Sequence, residues 1–377
     1  MKSLLRISKR IIKRLVPPKL LSKYKKLTFA KKYPVTKRRA HPERIAFDVI
    51  YPYCRKTNDT KIIFVGLKAD YDDELRGMSF EYYNFFLPLI EMGMVAKIFD
   101  PYELSRKWGR TTTSKALWEA VGQFQPHFVF YFHYLDVIEY EIWRKISSIS
   151  SCSSIIWLAD DHWRHEETAV LEKNFNLIVT TWKDGLTLLG REGKAFLGQW
   201  GVNSGLFRDL GLQRDLDVSF IGQRYGEREK YINALRKAGI KVQVFGTGWP
   251  NSHRLNQFEM IEALNKSKMV LNFADASHSG IKQIKARPFE ATACGACLLT
   301  EYSEGIEEFF QPGSEVVCFR TLDEMVDKAK YYLNQEKERG EIARAGKARS
   351  VREHDIKARL QKILDRALEL KEGSKPD

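Results

Sequence analysis

Residues 282–310 read KQIKARPFEATACGACLLTEYSEGIEEFF and hold the densest set of groups able to do chemistry. Lys282, Lys285 and Arg287 are cations of the kind that, with a helix amino-terminus, hold phosphate. Glu290 lies three residues on, inside the same run, where a carboxylate accepts hydrogen bonds from sugar hydroxyls. Cations beside such a carboxylate point to a nucleotide sugar. The plainer alternative is a surface helix with solvated charges and a small-residue packing face.

Three elements must position these groups. Residues 287–294 are helix material, Gly295 stops the helix in a left-handed cap, and 297–300 is a short buried-strand run. A further helix is expected near Glu304, with Glu304, Glu307 and Glu308 at its positive end. Helix, turn and strand in this order place the charged residues at the mouth of an α/β sheet, where open parallel sheets bind ligands.

Upstream, residues 128–132 form a strand that delivers His133, and residues 155–159 one that delivers Asp160, Asp161 and His162. Histidine is the commonest general base near neutral pH, and a carboxylate either orients it or takes the proton itself. His133 and Asp161 are therefore the candidate catalytic pair, and a polar cap on a strand end is the structural alternative for His133. Other patterns carry less. Cys294-x-x-Cys297 brackets a helix stop and a buried strand with no second pair, which reads as packing. Asp70-x-Asp72 and Asp215-x-Asp217 both match a metal-binding DxD, and two hits from so short a pattern mark it as noise. Residues 162–166 fit neither HExxH nor HxxEH. No metal site and no cofactor is expected.

The chain alternates strand and helix throughout: strand 61–67, helix 79–92 ended by Gly93, strand 95–99, helix 115–124, strand 177–180 and helix 183–190. Residues 199–212, with Gly201, Gly205 and Gly211, read as a connector. A second series follows: strand 217–221, the turn Gly222-Gln223-Arg224-Tyr225-Gly226, helix 227–238, strand 242–245, helix 257–266 and strand 269–273. Thr321 and Glu324 form a capping box, and a last helix over 355–371 carries Ile356, Leu360, Ile363, Leu364 and Leu368 on one face.

RPFEATACGACLLTEYSEGIEEFF, the spaced GSEVVCF, TLDEMVDKAKYYL and REHDIKARLQKIL together resemble the carboxyl half of group 1 glycosyltransferases, closest to the spore-maturation CgeB-like branch. The similarity is strong over 217–364 and weaker, but of the same kind, over 61–207. It implies a GT-B fold: two Rossmann-like domains, the donor held mainly by the second, a last helix that crosses back onto the first, and no obligatory metal. It also implies that Arg224 and Arg228, after the first strand of the second domain, meet the donor pyrophosphate, with Gly222 of the same turn among the donor-binding residues, and that His133 matches a strand-end histidine at the transfer site. Relatives carry a Glu-x7-Glu pair flanking a glycine loop; here Glu290 matches the second glutamate, Lys282 stands in place of the first, and Gln283, Ile284 and Lys285 replace the glycines.

Composition bounds this reading. The 377 residues, 44% hydrophobic, are comfortable for two domains, and five scattered cysteines indicate a reducing compartment. The net charge of +14 raises the question of nucleic acid, but residues 1–40 hold fifteen of the 62 Lys and Arg and no acid. The other 337 residues thus balance 47 bases against 48 acids, so the fold lacks the basic stripe a nucleic-acid domain needs. In residues 1–16 the apolar and basic residues fall on opposite halves of a helical wheel, ending at Pro17-Pro18. This describes a basic amphipathic helix on an anionic membrane surface; a disordered arm, a transit peptide or a helix docked on its own protein are the alternatives.

The expectation is an α/β protein of GT-B type with a basic arm (1–40), an amino-terminal acceptor domain (41–205), a nucleotide-sugar donor domain (206–350) and a returning helix (351–377). It would move a sugar from a UDP- or GDP-sugar to a hydroxyl of a glycan, lipid-linked or protein acceptor, without metal, in the cytoplasm or on the inner face of the membrane. The rivals are a catalytically silent GT-B binding or coat protein and a nucleic-acid binder working through the tail.

Overall fold

The computed structural model describes residues 59–373 except 74–75, 160, 190–192 and 276–280. The basic arm and Asp160 lie outside the described residues. The chain divides into two units, one chiefly of residues 40–203 with 354–377, the other chiefly of 204–278 with 282–353.

The first unit is a six-stranded parallel sheet in the order β2-β1-β3-β4-β5-β6. The strands are β1 (Lys61–Val65), β2 (Val95–Phe99), β3 (Phe128–His133), β4 (Ser153–Leu158), β5 (Leu177–Thr180) and β6 (Ala195–Leu197). Every residue of β3 and β4 is buried, as expected of central strands covered on both faces. On one face, Leu117, Val121, Trp143, Phe175 and Tyr131 form the core. On the other, Phe64, Phe85, Phe130 and Trp157 interleave, with Phe85 and Trp157 ring centroids 5.0 Å apart.

The connections are α1 (Leu87–Glu91), α2 (Pro101–Phe124), α3 (Tyr140–Ser147), α4 (Asp161–Thr168) and α5 (Lys183–Leu189). α1 is preceded by a π-helical turn, Tyr82–Phe86. α2 starts fourteen residues earlier than residue 115, because Asp100 caps Tyr102 and Glu103 and Pro101 sits in the first turn; Gly109, at φ +80°, then kinks it. The last helix of the chain, numbered α11 (Ile356–Glu372), packs on β4, β5 and α1 of this unit. It buries Ile356, Leu360, Ile363 and Leu364, but Leu368, expected on that face, is 46% exposed.

The second unit is a five-stranded parallel sheet ordered β11-β10-β9-β7-β8. Its strands are β7 (Leu216–Ile221), β8 (Val242–Phe245), β9 (Ser267–Asn272), β10 (Cys297–Glu301) and β11 (Val317–Phe319). The helices are α6 (Arg228–Lys237), α7 (Gln257–Lys266), α8 (Ala286–Ala293), α9 (Leu322–Asn334) and α10 (Glu336–Glu353). Gly295 takes φ +75°, the left-handed stop expected after α8. Near residue 304 the sequence predicts a helix, yet Gly305 at φ +85° leads only into one 3-10 turn, Ile306–Glu308. Its carboxylates therefore face no helix dipole.

The chain runs from β7 outward to β8 and then back across β7 to β9, so the strand order reverses between β7 and β9. Such a switch point opens a crevice at the carboxyl ends of the strands.

Candidate active site

Two glycine-bearing loops build one wall of that crevice. A Cβ on Gly246, already at φ +137°, would overlap the carbonyl oxygen of Gly222, so the loops after β7 and β8 touch backbone to backbone. The Arg224 amide donates to the Thr247 carbonyl at 3.0 Å, and the Trp249 indole N–H to the Gly222 carbonyl at 2.8 Å. Arg224 itself is exposed and holds Glu229 at 2.6 Å.

Arg228 is deployed differently. Its guanidinium stacks 3.7 Å from the Tyr225 ring centre and donates to the Gln223 carbonyl, the Tyr225 hydroxyl and the Asp275 carbonyl at 3.0, 2.6 and 3.2 Å. Tyr225 donates to the same Asp275 carbonyl at 2.7 Å. The loops after β7 and β9 are thereby tied across the switch point. Burial pulls the Arg228 pKa down from its usual value. Arg228 thus ties the two loops together, and Arg224 is the more exposed cation of the pair.

The opposite wall is acid and base in register. Lys282 lies 2.9 Å from Glu301 at the end of β10, and the other Glu301 oxygen accepts from the Ala274 amide at 3.1 Å. Burial raises the Asp275 pKa, and the Glu301 charge adds to this. Lys285 is the amino-terminal cap residue of α8. Arg287 donates to Glu290 at 2.6 Å and touches the Met260 sulfur. Glu290 is 2% exposed, and burial raises its pKa against the lowering effect of Arg287. In this geometry Glu290 holds Arg287 rather than presenting a bare carboxylate to solvent.

The second unit therefore brings Gly222, Arg224 and Arg228 together on the β7 loop, and pairs Lys282 with Glu301 and Arg287 with Glu290. Sequence reasoning missed Tyr225, Trp249 and Glu301. Glu301 had a visible signal, a carboxylate closing a strand run, but the strand was expected to stop at Thr300. Cys294 and Cys297 are free and buried, and burial pushes the Cys297 thiol up to about 12, which agrees with packing.

The other two candidates belong to the first unit, at the ends of the neighbouring strands β3 and β4. His133 is buried, its Nε2 has no hydrogen-bond partner, and burial with the nearby Arg164 charge brings its pKa to about 3. The ring is thus neutral, able to hydrogen-bond but a weak base. Asp161 begins α4 and accepts from the Thr180 hydroxyl, which ties α4 to β5. The amide of Tyr134, next to His133, donates to the Tyr102 hydroxyl oxygen at 2.9 Å, and its carbonyl accepts from Arg164 at 2.8 Å. Missed altogether was Glu81, half-buried just before the π-helical turn, whose pKa burial raises to about 7, with Asp70 and Asp100 adding to the rise. Nothing in a single glutamate near an aromatic run signals such a shift. Among the described residues, no cluster of three or more His, Cys, Asp or Glu side chains is placed to hold a metal ion.

Known structures share this architecture. HepE of Anabaena, solved in complex with UDP-glucose, matches at 13% identity with a TM-score of 0.55, covering 81% of this chain and 98% of its own. Sucrose-phosphate synthase of Thermosynechococcus elongatus and a glycosyltransferase of Rickettsia africae each match at 11% identity with a TM-score of 0.58, covering 84% of this chain and all of theirs. The fold is of the GT-B type. Residues 224–365, the greater part of the second GT-B unit and the returning helix, match the family model described as Glycosyl transferase-like. Fold and family model thus agree on a glycosyltransferase enzyme. No curated protein matches the sequence. Among the described residues no helix is long and apolar enough to cross a membrane.

Proposed function

We propose that the chain transfers a sugar from a nucleotide-sugar donor to an acceptor hydroxyl, with the nucleotide held by the second unit. The observation that carries this is the switch-point crevice. Its glycine-tied loops after β7 and β8 present Arg224, while Lys282 and Glu301 face them from the other side of β7. Exposed cations and loop amides suit a pyrophosphate, and paired carboxylates suit hydroxyls. HepE, of the same fold, was solved with UDP-glucose, and this makes UDP-sugars the first donors to test.

In this reading Lys282 and Arg224 contact phosphate, Lys285 sits at the amino-terminus of α8 beside it, and Arg228 and Glu290 act through Tyr225 and Arg287. Gly222, where a Cβ would come within 2.8 Å of the Phe220 ring, keeps the β7 loop of the donor site tight against the β8 loop. His133 orients the acceptor hydroxyl, and Asp161 fixes the α4 end of the same edge. Transfer proceeds without metal or cofactor, as in the CgeB-like branch that the sequence resembles. Residues 1–40 hold the enzyme on an anionic membrane surface, close to a glycan, lipid-linked or protein acceptor. Each Lys or Arg near such a leaflet contributes ~1 kcal/mol, so this attachment is reversible and salt-sensitive. Deleting residues 1–40 should abolish co-sedimentation with anionic vesicles and leave donor binding intact; a truncated chain that still sediments removes the membrane role.

A catalytically silent binding protein is the second reading, favoured by the low basicity of His133. Incubating the full chain with UDP- and GDP-sugars separates the two. Release of nucleoside diphosphate supports transfer, and saturable binding without release supports the silent scaffold.

A further inference from the structure

At the other end of the second unit's sheet, where β7, β9 and β10 begin, lies a cavity of about 410 Å³. Its floor is Gly295, where an added Cβ would come within 2.8 Å of Arg214 Nη2. Its walls come from Lys268 in β9 and the first three turns of α10. The lining holds six cations, Arg214, Lys268, Lys337, Arg339, Arg344 and Lys347, against two acids, Asp209 and Glu336.

The structure neutralises few of these cations. Lys347 pairs with Asp209 at 3.1 Å, and Lys268 with Asp217 at 2.6 Å. Arg214 spends its donors on the carbonyls of Ser267 and Cys294, at 2.8 and 2.9 Å, and Arg339, 8% exposed, spends its own on those of Tyr332 and Leu333. Carbonyls position a guanidinium but leave its charge in place. Among the described residues no ion pair involves Lys337 or Arg344. Burial lowers the Arg214 pKa; the Asp209 charge opposes this, and the Arg339 charge adds to the lowering. Like charges held together in a partly dehydrated recess favour an anion among them, and the amino-terminus of the 18-residue α10 opens into the same space.

We propose that this cavity is a second anion site, distinct from the nucleotide crevice, that takes a phosphate group. It lies at the amino-terminal ends of the strands, so one nucleotide sugar in the crevice does not fill it. Arg214, which donates to the Cys294 carbonyl at the end of α8, links an occupant to the helix that carries Arg287 and Glu290.

The test is calorimetry of the full chain with inorganic phosphate and, separately, glycerol phosphate, against chloride of equal ionic strength. Lys337→Ala/Arg344→Ala should weaken phosphate at least about tenfold, the scale of one charge-assisted hydrogen bond, while the same double variant leaves UDP or GDP binding in the crevice unchanged. Both residues are exposed, so the variant should melt at the wild-type temperature without phosphate. Arg344→Lys should retain most of the affinity. Tighter binding of glycerol phosphate assigns the site to an ester, and tighter binding of inorganic phosphate to the free ion. The proposal is overturned if the wild type binds phosphate no better than chloride, if the double variant binds phosphate as well as the wild type, or if the double variant weakens nucleoside diphosphate and phosphate alike.

Discussion

Arg287 and Glu290 stand one helical turn apart on α8, 2.6 Å from nitrogen to oxygen, with the carboxylate side chain 3% exposed and the guanidinium side chain 22%. The pair is asymmetric. Removing Glu290 leaves a cation that reaches water, whereas removing Arg287 strands a buried carboxylate.

Arg287→Met should therefore cost about 3 kcal/mol at pH 8, the low end for breaking a buried pair, and Glu290→Gln less. The sign with pH follows from the raised Glu290 pKa. Between the unfolded and folded pKa values the native state holds the extra proton, so stability falls as pH rises through that window. The Arg287→Met loss should shrink as pH drops towards 5. Denaturant melts at pH 5 and 8 check this, and a loss independent of pH would show that Glu290 is not the stranded group.

His133 should remain neutral. Its pKa falls from 6.5 to about 3, so the unfolded chain takes up a proton before the native state does. This contribution to stability is full above pH 6.5 and is lost as pH falls towards 3. The His133 ring resonance in NMR should show no titration above pH 5, and a midpoint near 6.5 would place the ring in water.

Glu81 carries the opposite sign. Its pKa rises from 4.5 to about 7, so ionising it in the native state costs stability that is lost as pH climbs from 4.5 to 7 and then levels off. Glu81→Gln should be stabilising by about 2 kcal/mol at pH 8 and near neutral at pH 4. Equal melting of variant and wild type at pH 8 would remove the buried acid.

Gly346 sets how α10 sits. A Cβ there would overlap the Glu315 carbonyl oxygen and come within 3.3 Å of Thr292. Gly346→Ala should lower stability by ~1–3 kcal/mol, the usual cost of overpacking, and wild-type melting would show that the helix slides freely.

α10 also shows where the sequence was hard to read. Its buried residues are Arg339, Ile342, Ala343, Gly346 and Ser350, so the packing face is small or polar and carries almost no apolar period. β6 and β11, at three residues each, are too short to show one. By contrast β8 and α7 were legible to the residue, because their apolar periods end at clear stops: Gly246 after β8 and the Asn256/Glu259 capping box before α7. The site was legible in its residue types but not in their pairings. Arg224 with Glu229, Lys282 with Glu301 and Arg228 on Tyr225 depend on loop conformations that no local period encodes.

The central claim is that the switch-point crevice holds the phosphates of a nucleotide sugar. Calorimetry with UDP and GDP beside uridine and guanosine tests it most directly, on the full chain and on Lys282→Ala and Arg224→Ala. One diphosphate should bind saturably and weaken about tenfold in each variant, the scale of a charge-assisted contact, while its nucleoside keeps the same affinity throughout. Absence of binding by either diphosphate, or nucleoside and diphosphate weakening equally in both variants, would contradict the account.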